Sequence, residues 1–254
     1  MRKIIVSVFL VLACASLAPA HFGQILPSDD IVTPDENRTV TLTVRFAHPF
    51  EQGLMDMEPP AQFGALAAGK AMTDLPPLET RAKDGKRFHV ADVKLNRPGD
   101  YVFFVEPKPY WEPTEDKFIV HYAKVIVQAF GLEEGWDALA GLPIEIRPLT
   151  RPYGLWTGNV FTGQVMKNGQ PLPGAEIEIS YENEGGAVKA PAEAYTIQVV
   201  QADENGVFSY AMPRAGWWGF AALAESDKQL KDPDGVMKPV EIGGVLWVRT
   251  RDMQ

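Results

Sequence analysis

Four histidines, His21, His48, His89 and His121, are the residues of this chain best suited to chemistry near neutral pH. His21 stands apart because of what precedes it. Met1-Arg2-Lys3 is positively charged, Ile4 to Ala13 is an apolar run of 10 residues, and Ala18-Pro19-Ala20 ends in small side chains. That order matches a secretory signal peptide, and the run is shorter than the roughly 20 residues a membrane-spanning helix needs. Cleavage after Ala20 makes His21 the first residue of the mature chain. It then offers two nitrogen donors, the α-amine and the imidazole, which close a six-membered ring on one metal ion. An internal histidine lacks that second donor.

The other histidines differ in setting. His48 closes an alternating stretch and precedes Pro49, which cannot continue a ladder, so its imidazole is expected at a sheet rim. His121 alternates with Val120 and Tyr122 inside a β-rich run, which sends Tyr122 to the opposite face. His89, in Arg87-Phe88-His89-Val90, is read as solvent-facing. Met55 and Met57 share a face at strand spacing; soft Cu(I) ligation is open to them, and core packing is the plainer role. Glu112, in Trp111-Glu112-Pro113-Thr114-Glu115-Asp116, is a candidate ligand beside the His121 run; a solvated acidic loop is the alternative.

No nucleophile elbow, phosphate loop, dinucleotide fingerprint or His-Glu-x-x-His motif occurs, so the chain is not read as an enzyme. Loss of Arg2 and Lys3 takes the net charge from −9 to −11, which argues against a nucleic-acid partner. The single cysteine, Cys14, lies in the leader, so the mature chain of 234 residues has no thiolate. Lipidation at Cys14 is the competing reading of the leader, and it would leave His21 internal. Imidazoles plus a terminal amine suit Ni(II) or Cu(II), and residue types alone do not rank the two.

The elements that must hold these residues read as strands and turns. Thr39–Phe46, Phe88–Leu95, Tyr101–Val105 and Lys117–Phe130 alternate or run apolar with β-branched enrichment. The 21 prolines and 22 glycines leave room for short helices at most, expected near 61–72 and 133–139. The chain therefore divides into a leader (1–20), an N-terminal β-rich metal-binding unit (21–150) and a C-terminal β-sandwich (151–254). The fold class is all-β, with two sandwiches. Residues 156–250, with Asn168-Gly169, Pro171-Leu172-Pro173-Gly174 and Asp203-Glu204-Asn205-Gly206-Val207-Phe208, resemble the transthyretin-like or carboxypeptidase-regulatory-like sandwich.

Longer stretches carry a second resemblance. They are His21-Phe22-Gly23-Gln24-Ile25-Leu26-Pro27-Ser28, Phe46-Ala47-His48-Pro49-Phe50-Glu51, Tyr110–Tyr122, and Ala215-Gly216-Trp217-Trp218-Gly219-Phe220. Together they resemble the periplasmic component of bacterial cobalt/nickel uptake systems, which includes auxiliary proteins of energy-coupling-factor nickel transporters. The resemblance implies a periplasmic accessory protein that binds Ni(II) or Co(II), as the ion or a small chelate, and delivers it to a membrane permease. It places the metal on His21, His48 and His121, and His89 falls outside its motifs. The chain carries no C-terminal anchor stretch, so the permease would be met through the folded surface. Two alternatives stay open: a Cu(II) carrier or histidine-brace monooxygenase using the same amine–imidazole chelate, and a metal-free surface or adhesion sandwich.

Overall fold

A computed structural model describes residues 21–254, so the leader and Cys14 lie outside the described residues. Twenty strands follow one another. The first eight are β1 (Phe22–Pro27), β2 (Ile31–Val32), β3 (Thr39–His48), β4 (Gly53–Met55), β5 (Gln62–Ala67), β6 (Lys70–Ala71), β7 (Glu79–Lys83) and β8 (Lys86–Lys94). The next four are β9 (Gly99–Glu106), β10 (Tyr110–Glu112), β11 (Lys117–Ala129) and β12 (Ile144–Pro148). Then come β13 (Leu155–Trp156), β14 (Val160–Lys167), β15 (Gln170–Pro171), β16 (Glu176–Tyr181), β17 (Ile197–Gln201), β18 (Val207–Ala211), β19 (Gly216–Lys231) and β20 (Met237–Arg251). Two single-turn 3-10 helices, Glu184–Gly186 and Glu193–Tyr195, are the only helical segments among the described residues.

The strands build three sheets in layers. The central sheet runs β17-β16-β19-β20-β11-β9-β5-β6. One outer sheet runs β1-β3-β8-β7 with β4 on β3, and the other β12-β14-β15 with β18 on β14. Side chains alternate across the central sheet, so each face meets one outer sheet. Ile119, Ala123 and Val125 of β11 join Phe22, Leu42, Val44 and Trp247 in one core. Val120 and Tyr122 join Ile146, Phe161, Ile177 and Phe220 in the other. The all-β sandwich architecture expected from the sequence is the one the chain adopts.

The division at residue 150 falls between β12 and β13. The central sheet nevertheless crosses it, because β11 and β20 pair in parallel from Phe118↔Val240 to Val125↔Trp247. β12 precedes the division but pairs with β14 beyond it.

Neither expected helix forms. Gln62–Ala67 is β5, paired with β9 from Gln62↔Glu106 to Ala67↔Tyr101, and Ala68-Gly69 turns it back onto β6. Both turn residues have positive φ, 47° and 72°, as a two-residue hairpin turn requires. The alanines of this stretch favour helix locally, but the open edge of β9 supplies backbone partners and a buried face for Ala65 and Ala67, which outweighs propensity. Residues 133–139 are turn and coil; Glu134 uses its carbonyl to accept from the N–H of Asp100 rather than within a helix.

Candidate functional site

β1 pairs antiparallel with β3, Phe22 opposite Ala47. Continuing that register by one residue sets His21 beside His48, and the two rings meet edge-on with centroids 4.7 Å apart. His48 therefore occupies the strand end expected for it. β11 delivers the third imidazole from below. His121 is 2% exposed, and its ring meets that of Phe46 edge-on at 5.9 Å. Phe46 in turn stacks on His21 at 5.5 Å, with Tyr110 tilted against it at 5.1 Å. His21 and His121 thus both meet Phe46, and His48 joins the group through His21.

Two glycines make room for His121. Gly243 is its partner across the parallel ladder. A Cβ at Gly243 would lie 2.5 Å from His121 Cδ2 and 2.7 Å from Nε2, so the imidazole rests directly on β20 backbone. A Cβ at Gly23 would lie 2.8 Å from the His121 carbonyl. Neither glycine was singled out from the sequence, although Gly243-Gly244 inside an apolar strand is a signal of close approach.

Carboxylates line the other side of the imidazoles. Glu112, expected as a ligand or a solvated loop residue, is buried, with Oε2 3.1 Å from His21 Nε2. Glu115 Oε1 lies 3.8 Å from His21 Nδ1. Glu241, which no sequence signal marked, has Oε1 3.9 Å from His121 Nε2. Both ring nitrogens of His121, and Nε2 of His48, are buried without a hydrogen-bond partner. Orphaned buried nitrogens cost free energy, which makes them the notable polar atoms of the cluster.

Burial, then the neighbouring imidazole of His48, lowers the pKa of His21 to about 4 against the pull of Glu112. Burial also lowers His48, despite Glu51 and Glu112. Burial opposes ionisation of Glu241, but His121 and Lys117 outweigh it and hold the carboxyl at about 2. Glu178 goes the other way: burial, then Glu241 and Glu176, raise it to about 7. Imidazoles bind a divalent cation in their deprotonated form, and carboxylates beside them add negative charge. As the side chains stand, no three His, Cys, Asp or Glu groups among the described residues converge closely enough to clasp an ion.

The remaining candidates fall elsewhere. His89 is fully buried, which corrects its reading as solvent-facing. The segment from Asp56 to Glu58 crosses over β8, held by the Arg87–Asp56 ion pair at 2.5 Å. The carbonyls of Met57 and Glu58 then sit 3.1 Å from His89 Nε2, and Thr80 Oγ1 lies 3.2 Å from Nδ1. Both nitrogens are used, so His89 is a satisfied core residue. Met57 is buried in the core under β3 and Met55 packs against it. A cavity of about 440 Å³, counted with its mouth, opens beside His121 between Phe46, Met57, Tyr110 and Ile119.

The fold and the cluster define an all-β sandwich protein with a buried imidazole–carboxylate group at the junction of two sheets. The chain belongs to the family described as a domain of unknown function (DUF4198), whose model matches residues 18–226. No curated protein matches the chain. Among solved structures it is similar to the titin Ig tandem domains A164-A165, at 12% identity over 92% of this chain and 100% of that one, with a TM-score of 0.21. It is also similar to the Yersinia pseudotuberculosis adhesin InvE, at 8% identity over 87% of this chain and 58% of that one, with a TM-score of 0.26. Likeness this distant says nothing about function.

Among the described residues no helix is long and apolar enough to cross a membrane.

Proposed function

We propose that the chain is a periplasmic metal-binding accessory protein, not an enzyme, which carries Ni(II) or Co(II) as cargo to a membrane permease. The observation that supports this reading best is the meeting of His21 and His48 at 4.7 Å, with His48 Nε2 unpartnered. His21 counts twice once the leader is removed. Its amine and imidazole with the His48 imidazole make three nitrogens from two residues, and three-residue convergence is then not required. His121, with two unused nitrogens, is the further donor. The reading requires side-chain rotation within the cluster to bring these nitrogens onto one ion. Nickel and cobalt come before copper here on the family resemblance of the quoted motifs, since imidazole chemistry alone suits both.

Calorimetric titration of the mature protein, its first residue fixed by intact mass, tests the reading. Ni(II) and Co(II) are expected to bind at one site. An additional residue before His21 should weaken binding at least tenfold, and H48A should do the same. Unchanged affinity in both would sink the site. Absence of any binding would leave the metal-free sandwich, which the lack of a preformed three-residue clasp among the described residues favours. Preferential Cu(II) binding with reductant-driven peroxide formation would point to the copper alternative.

A further inference from the structure

Lys117 occupies an unusual place beside the imidazoles. Its Nζ lies 2.6 Å from Glu115 Oε2 and 2.7 Å from Glu241 Oε2. The second oxygen of each carboxylate faces a histidine: Glu115 Oε1 lies 3.8 Å from His21 Nδ1, and Glu241 Oε1 lies 3.9 Å from His121 Nε2. One ammonium thus stands between two carboxylates, and each of these reaches towards a different imidazole. Glu178 adds a third carboxyl within electrostatic reach of Lys117. The carboxylates alone would be an acidic cluster of no particular meaning. His121 changes that, because it is 2% exposed, has no partner at either nitrogen, and is aimed at Glu241. Lys117, Glu115 and Glu241 are each about one-fifth to one-quarter exposed, so the lysine stem has solvent to swing into.

We infer that Lys117 is a built-in competitor for the divalent cation: its ammonium holds Glu115 and Glu241 until an arriving ion displaces it on the way to the imidazoles. The inference rests on the metal-binding reading above and adds to it the group that sets affinity. A lysine suits this role because its charge is a compact point on a flexible stem, held by contacts that solvent partly screens. The exchange is a replacement of one cation by another and involves no bond cleavage.

The test is titration of the mature wild-type protein, K117M and K117R with Co(II) alone, read by calorimetry and by the visible absorption of the bound ion. K117M should bind about five- to tenfold more tightly, the size of one unit-charge interaction across a few ångströms in a well-screened setting. K117R keeps the charge and should stay within about twofold of wild type. Should K117M fail to fold, K117Q carries the same expectation. Wild-type binding with unchanged or weaker binding in the neutral variants would overturn the role of Lys117 while leaving the histidine site intact. No Co(II) binding by the wild-type protein would overturn both.

Discussion

At the scale of single residues, the chemistry of the site depends on which groups carry a proton. His21 is 6% exposed, and its pKa of about 4 lies below the 6.5 of an ordinary imidazole. Between those values the unfolded chain binds the proton that the folded chain refuses. The stability tied to neutral His21 is therefore complete above about pH 6.5 and is lost as pH falls towards 4. Glu178 runs opposite, since its folded carboxyl titrates near 7 against an ordinary 4.5. Its contribution is complete below about pH 4.5 and is lost as pH rises through 7. The two slopes oppose each other across nearly the same window. E178Q removes one of them, so its melting temperature should fall more steeply from pH 6.5 to 4.5 than that of wild type. Parallel melting curves across that range would sink this assignment of the two groups.

At the scale of elements, the parallel pairing of β11 with β20 is what seats His121. Parallel neighbours normally present side chains to one another on both faces, and here a glycine clears the space. G243A puts a methyl within 2.5–2.7 Å of the imidazole. Either the ring or the strand must shift, at a cost of about 1–3 kcal/mol. Urea unfolding of G243A is expected to show that loss, together with weaker Co(II) binding as His121 moves. A variant as stable as wild type would mean that the ring moves aside into the neighbouring cavity at no cost.

At the scale of the whole molecule, one sheet serves both halves. The face towards β3 combines Phe22 with Ala221, Val245 and Trp247, and the Trp247 indole N–H donates to the Gly23 carbonyl at 2.9 Å. The opposite face combines Val102 and Tyr122 with Ile177 and Phe220. Cutting at residue 150 would expose both faces and an eight-residue parallel edge from Phe118 to Val125. Residues 21–150 and 151–254, expressed separately, are expected to lack a cooperative thermal transition, and to regain one when mixed. A sharp melt for 151–254 alone would show that the second sandwich stands by itself.

Much of this was legible in the chain. Alternation over Thr39–Phe46 and the apolar run of Lys117–Phe130 mark strands because the period of side chains in a sheet is two, a local property. His48 before Pro49 marks a strand end for the same kind of reason. The three candidate histidines stand out by residue type, the leader pattern and a family resemblance, and the fold brings His21 against His48 and sets both His21 and His121 against Phe46. What the chain could not disclose depends on partners far away in sequence. Residues 61–72 read as helix until the edge of β9 claims them. His89 reads as exposed until the Asp56–Glu58 segment covers it. Glu241 carries no local sign of function, and Gly243-Gly244 marks a close approach without saying to what, because the answer comes only from the strand they pair with. Sequence by itself determined the all-β class and the residues capable of binding a cation, since both follow from side-chain chemistry and short-range periodicity. Tertiary structure alone decided which carboxylates and which lysine face those imidazoles, because that depends on the register between β11 and β20, whose paired residues lie more than a hundred positions apart.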